Sequence, residues 1–152
     1  MAITTQTIFN EIETLNQPLG VLATISKDGV PHATSVFYIA DEQLNLYFLA
    51  REGSKKYENI LANPHVAFVV TEENPPKTIQ FEGTAQMVTD AHEENAYFSK
   101  LIKRATEHSA IPPVAQMEGS KMLFIKITPT WVRAGNFAVM RKGDMFEETN
   151  LH

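Results

Sequence analysis

Over the first sixteen or so residues the apolar positions recur at helical spacing. Ile8, Ile12 and Leu15 form one stripe, Thr5 is placed to cap a helix running to about Asn16, and Pro18 blocks its continuation. From Gly20 the period falls to two, with Val21, Ala23 and Ile25 alternating with Leu22, Thr24 and Ser26. Lys27-Asp28-Gly29 is a hairpin-turn signal and predicts a second strand from Val30 to Ile39. Asp41-Glu42-Gln43 makes the next polar turn, and Leu44 to Ala50 a third strand. Connections this short make an antiparallel meander, because parallel neighbours need long crossovers.

The second part of the chain continues the pattern. Gly53-Ser54-Lys55-Lys56 opens a short helix with Tyr57, Ile60 and Leu61 as its apolar face, and Asn63-Pro64 stops it near Ala62. His65 to Thr71 reads as a strand, and its unbroken run Val66-Ala67-Phe68-Val69-Val70 predicts burial on both faces. Glu72 to Lys77, with Pro75-Pro76, reads as a loop. Thr78 to Val88 reads as a fifth strand in which Gly83 marks a bulge or bend. Asp90 caps a longer helix to about His108 with Tyr97, Phe98, Leu101 and Ile102 inward. Ala110 to Gly119 reads as a surface loop, Lys121 to Arg133 as a sixth strand interrupted near Pro129, and Phe137 to Met140 as a last short strand. Residues 141–152 read as a polar, frayed tail.

Six short strands with two to three helices between them predict a mainly β fold, a six-stranded antiparallel barrel decorated by helices, because closing a sheet removes its exposed edges. At 152 residues the chain is the size of a single domain, with the helix at 5–16, the barrel at 20–140 and the tail after it. The formal net charge of −5 argues against a general nucleic-acid binder. With no cysteine there is no disulfide, thiolate metal site or Cys nucleophile. The first residues have neither a basic nor an apolar leader region, and no apolar run reaches the roughly 20 residues of a membrane helix. The expected location is the cytoplasm, away from membranes.

The segment that carries chemistry is Phe48-Leu49-Ala50-Arg51-Glu52-Gly53-Ser54-Lys55-Lys56. A strand ends, a glycine turns the chain, and a helix starts on a hydroxyl and two ammonium groups. A helix start exposes unpaired N–H groups and the positive end of its dipole, a match for a dianionic phosphate. The same residues also read as a capping serine followed by solvated lysines, and composition leaves both readings open. His32, Thr34 and Ser35 put polar groups on a strand whose other half is apolar, and Thr78 and Gln80 do so on the fifth strand. Such faces can meet the polar edge of a heterocycle or simply face water.

Taken in order, Gly20 to Val70 resembles the pyridoxamine 5′-phosphate oxidase-like split-barrel flavoproteins. The hairpin comes first, then Pro31-His32 at the second strand and an aromatic third strand. A Ser-Lys-Lys helix start, Asn63-Pro64 and an apolar strand follow. TIQFEGTAQMV extends the likeness to Val88. The resemblance implies a homodimer with FMN in clefts between subunits. It implies Thr34, Ser35 and Val36 along the isoalloxazine and ribityl chain, with Phe48 and Leu49 flanking it. It implies Ser54, Lys55 and Lys56 on the phosphate, and Thr78 or Gln80 approaching from the fifth strand. It also places Trp131 and Arg133 near the partner's flavin. The oxidase proper carries Arg where Thr34 stands and Lys where Ile39 stands, and its Arg-rich C-terminal segment has no counterpart in MRKGDMFEETNLH. These departures speak against pyridoxamine phosphate oxidation.

The activity so implied is an FMN-dependent oxidoreductase with a small-molecule electron donor or acceptor. His32 is the one acid–base candidate, weighed against a packed or solvent-facing imidazole. A non-catalytic flavin-binding or stress-related module, or the same barrel holding F420 or haem, are the alternatives. The five histidines (His32, His65, His92, His108 and His152) have no metal-binding spacing, so no metal is expected. Glu93-Glu94 with Lys100, Lys103 and Arg104 reads as a solvated helix face.

Overall fold

The computed structural model describes residues 3–108, 121–138 and 145–151. Helix α1 (Thr5–Thr14) leads into β1 (Leu19–Ile25), β2 (Pro31–Ala40) and β3 (Leu46–Arg51). Helix α2 (Lys55–Ala62) follows, then β4 (His65–Glu73), β5 (Pro76–Met87), α3 (Ala91–Glu107), β6 (Met122–Asn136) and β7 (Phe146–Asn150). All described strand pairs are antiparallel. The sheet runs β3-β2-β1-β4-β5-β6-β7, and a further β3–β6 pairing closes β1 to β6 into a barrel. The expected six-stranded barrel is therefore present, with one strand more.

That extra strand corrects the reading of the tail. One edge of β6 is held by β5 from Ile125 to Asn136, while β3 leaves the other edge at Ile127. β7 takes the vacated edge, from Gly135 paired with Phe146 to Trp131 paired with Asn150. FEETN has no alternation to announce it; free backbone groups on β6 make it a strand. Phe137 and Ala138 form a turn instead of opening a strand, and the rest of the expected Phe137–Met140 strand lies outside the described residues, as does the Ala110–Gly119 loop.

Other boundaries shift for local reasons. Thr4, not Thr5, caps α1, exchanging bonds with Thr7 in a reciprocal box. Asp41 Oδ1 accepts from the Gln43 and Asn45 backbone, which prolongs the turn so that β3 starts at Leu46 rather than Leu44. The Glu72–Lys77 loop is a tight hairpin, with Glu73 paired to Pro76. At Gly83 the register shifts as expected, and a Cβ there would lie 2.4 Å from the Thr128 carbonyl oxygen.

The core fills the barrel from alternate positions of each strand. Leu22, Val36, Phe48, Phe68, Phe81 and Ile125 meet inside it, and α1 closes one end with Ile8, Ile12 and Leu15. α3 covers the outside of β2 and β3 through Leu101 against Ile39, Tyr47, Leu49 and Phe124. Its expected solvated face is only partly so. Glu93 accepts from Tyr47 Oη at 2.9 Å and from Lys126 Nζ at 3.0 Å, and Arg104 donates to the Ile12 carbonyl at 3.1 Å. Burial and the Glu93 hydrogen bond push the Tyr47 phenol far above its usual range, so it serves as a neutral donor in this joint.

Candidate phosphate cradle and outer groove

The chain turns from β3 into α2 through Gly53, at φ +78°, a conformation glycine takes without steric cost. Ser54 N donates to the Arg51 carbonyl at 3.0 Å, and Ser54 Oγ accepts from Tyr57 N at 3.4 Å. Ser54 thus caps α2, and its hydroxyl proton stays available to a ligand. The N–H groups of the first helical turn have no intrahelical acceptors.

Lys56 stands three and four positions before Asn59 and Ile60, which are both buried, so it lies on the inward face of α2. Its ammonium is half-buried and held below the usual lysine range, first by burial and then by the Arg51 guanidinium. Among the described residues the ion pairs are Lys77–Glu11, Lys103–Glu107, Arg104–Glu13 and Lys126–Glu93. None neutralises Lys56 or Arg51. Arg51, Lys55 and Lys56 thus gather at a helix start where, among the described residues, no ion pair engages Arg51 or Lys56, with Glu58 the one acidic residue of the first turn, an arrangement that can receive an anion.

Beneath α2, Asn59 Nδ2 donates to Thr24 Oγ1 at 3.0 Å in the interior. Thr24 is paired with His32 on β2. His32 and Thr34 alternate with exposed Ala33 and Ser35 and share the inward side with Val36 and Tyr38. The His32 Nδ1 atom is buried and unpartnered. A polar strip on β2 therefore approaches the end of the barrel that α2 covers.

A second feature lies on the outer face. The registers align Ser35, Val21, Val69, Gln80, Arg133 and Glu148 in one row across six strands. The adjoining row holds Ala33, Ala23, Ala67, Glu82, Trp131 and Asn150. A groove of about 330 Å³ is lined there by Val21, Ala67, Val69, Gln80 and Trp131 among others. It adjoins a depression of about 480 Å³, sharing Ala23, Ala67 and Glu82 with it, and His65 stands on that second wall. Among the described residues the expected two-sided burial of β4 is not seen, since Ala67 is exposed and Val69 half-buried.

The sequence-predicted residues thus fall in three places. Ser54, Lys55 and Lys56 are together at the cradle, with Thr34 on the inward strip. Ser35, Gln80, Trp131 and Arg133 share the outer face, where Thr78 is 7% exposed beside Gly135 and Phe146. Val36 and Phe48 are in the barrel core, and Leu49 packs toward α3. The groove lining includes none of Ser54, Lys55 or Lys56, so within one chain the two features are separate. Leu61 is exposed at 54%, and Asn59 takes the inward position assigned to it. Arg51 was missed; its signal was a cation one turn ahead of Ser-Lys-Lys. Among the described residues no group of His, Asp and Glu could hold a metal ion, and no helix is long and apolar enough to cross a membrane.

Comparison with known proteins bears on this geometry. Residues 7–135 match the family model described as pyridoxamine 5′-phosphate oxidase. The chain is 34% identical over 79 residues to a pyridoxine/pyridoxamine 5′-phosphate oxidase of Rubrobacter xylanophilus, a match over 52% of this chain and 36% of the relative. The chain thus spans about a third of that relative's length. A pyridoxamine 5′-phosphate oxidase-related, FMN binding protein of Nostoc punctiforme superposes with TM-score 0.64 at 11% identity, over 100% of both chains. A heme binding protein of Mycobacterium smegmatis does so with TM-score 0.73 at 14% identity, over 99% of this chain and 59% of the other. At these identities the solved structures establish the fold.

Proposed function

From a chain that belongs to the pyridoxamine 5′-phosphate oxidase family, we propose an FMN-binding flavoprotein that works as a homodimeric oxidoreductase. The observation that carries this reading is the Ser54-capped start of α2, with Lys56 on its inward face and no ion pair to Lys56 or Arg51 among the described residues. The residues present fit the cofactor. Ser54, Lys55, Lys56 and Arg51 offer donors and positive charge to its phosphate. Trp131, Val21 and Val69 offer an apolar bed for a flat ring, and Gln80 offers a polar edge. FMN when bound supplies the electron-transfer chemistry, and this chain's residues hold and orient it.

Cradle and groove lie apart in one chain, and the outer face of β1, β4 and β5 leaves Val21 and Val69 open. The dimer this reading requires joins two copies across that face so that the cradle of one serves the groove of the other. The substrate of the oxidase proper is not part of the proposal. Thr34 carries no charge, and Ile39 is packed beneath α3.

Haem is the second reading. It is favoured by the M. smegmatis heme binding protein, which shares the fold, and by His65 on the wall of the larger depression. One experiment separates the two. The purified protein is mixed with FMN or with haemin, passed through gel filtration, and its spectrum taken. Co-eluting flavin bands support the proposal. A Soret band with no retained flavin replaces it with haem.

A further inference from the structure

Gln80 and Arg133 face each other across β5 and β6, and Arg133 Nη2 lies 3.1 Å from Gln80 Oε1. The direction of this bond is forced. A guanidinium has donors and no acceptor, so the Gln80 amide must turn its oxygen to Arg133. Its NH2 group is thereby directed away from Arg133, to the side where the register neighbour is Val69 and the wall of the groove is Val21, Ala67 and Trp131. Among the described residues no acceptor takes that NH2. The groove is lined mainly by apolar side chains, with the Glu82 carboxylate on the wall it shares with the neighbouring depression and with one donor, the Gln80 NH2, whose orientation another residue sets.

Arg133 is itself held firmly. Its guanidinium carbon lies 4.6 Å from the centroid of the Phe146 ring and 5.6 Å from that of Trp131. Its Nε is buried without a partner. Its register neighbour on β7 is Glu148, yet no ion pair joins them among the described residues. The strand added to the barrel therefore contributes Phe146 as a backing plate, and Arg133 spends its hydrogen bond on Gln80.

We propose that Arg133 is a positioning residue. By locking the Gln80 amide with its NH2 toward the groove, it makes the groove select a flat ligand that presents a hydrogen-bond acceptor edge, such as the carbonyl-bearing edge of a flavin ring. The proposal rests on the flavin reading for its ligand, while the locked amide is a property of the protein alone. Without Arg133 the Gln80 amide is free to rotate and its carbonyl loses the cation that polarises the NH2 as a donor, so an acceptor edge meets a disordered and weaker partner.

The test combines side-chain amide NMR with FMN titration on the full chain. In the ligand-free wild type the Gln80 NH2 gives one ordered pair of proton signals, and this signal shifts when FMN is added. Arg133→Leu is expected to broaden or displace it and to weaken FMN about 10-fold. Arg133→Lys, which keeps a donor, restores part of both. Gln80→Leu weakens FMN similarly, and adding Arg133→Leu to it causes little further loss. An Arg133→Leu protein with an unchanged Gln80 signal overturns the locked amide, whatever FMN does. An altered signal with unchanged FMN affinity overturns the selection claim. A wild type with an ordered Gln80 signal and no FMN binding removes the flavin and leaves the lock standing. Folding of each variant is checked by the dispersion of the remaining amide signals.

Discussion

Lys56 lies on the inward face of α2, where burial and then the nearby Arg51 guanidinium hold its ammonium below the usual lysine range, and no carboxylate forms an ion pair with either among the described residues. Such an arrangement is unfavourable in the empty protein and favourable once an anion sits between the charges. Binding sites commonly carry this conflict between stability and function.

Replacing Lys56 with Met keeps the stem and removes the charge. The ligand-free variant should unfold at a higher temperature than the wild type, while its FMN affinity drops. A charge-assisted hydrogen bond contributes about 1.5–3 kcal/mol, so the loss is roughly 10- to 100-fold. A variant that is both less stable and unchanged in affinity contradicts this assignment of Lys56.

The same residue sets a pH dependence. Its folded pKa is below the unfolded value, so between the two values the unfolded chain binds more protons. The ligand-free contribution of Lys56 to stability therefore rises as pH climbs through the region just under the ordinary lysine value of 10.5. FMN affinity moves the other way, because deprotonation removes the cation. Denaturation and titration series run in parallel across that range should show opposite slopes, and both slopes should flatten in the Lys56→Met protein.

Asn59 and Thr24 anchor α2 to β1 by one buried bond of 3.0 Å. Asn59→Leu leaves the Thr24 hydroxyl unpaired in the interior, at a cost of about 1–3 kcal/mol. Urea denaturation should show that loss. FMN affinity should fall with it, since the helix that carries the cradle loses its polar anchor.

Gly83 faces the Thr128 carbonyl at a distance no Cβ can occupy. Gly83→Ala should destabilise by about 1–3 kcal/mol through overpacking of β5 against β6. The identical substitution at Gly29, where a Cβ meets nothing within 4 Å, acts only through its φ of +79° and serves as the comparison.

On the outer face, Val69→Asp puts a charge in the middle of the proposed contact between copies. Sedimentation should give twice 17.0 kDa for the wild type and 17.0 kDa for the variant. A monomeric wild type would remove the dimer and, with it, the meeting of cradle and groove.

Much of this architecture is legible in the chain because local rules and tertiary outcome agree. The alternation around Leu22 and Thr24, the Asn63-Pro64 stop and Gly83 each act through their immediate neighbours. β7 is not legible, since Phe146–Asn150 becomes a strand only because β3 leaves an edge of β6 open. The outward face of β4 is misread for a related reason. Ala67 and Val69 are apolar, yet among the described residues Ala67 stays exposed and Val69 only half-buried, so a run that looks like a two-sided core is buried on one face. At the site, the Ser-Lys-Lys motif is visible in sequence, whereas the Arg51–Lys56 proximity and the direction of the Gln80 amide depend on where strands and helix end. Val36 and Phe48, expected along the flavin, have their side chains in the barrel core, where strand alternation puts them.

The most direct test of the central claim compares FMN with riboflavin, which lacks only the phosphate. Equilibrium dialysis of the wild type and of Lys56→Met gives four dissociation constants. If the start of α2 holds the phosphate, the wild type should bind FMN at least about 100-fold more tightly than riboflavin, the size expected from two or more charge-assisted bonds, and Lys56→Met should narrow the gap. Equal affinity for the two flavins would contradict the account.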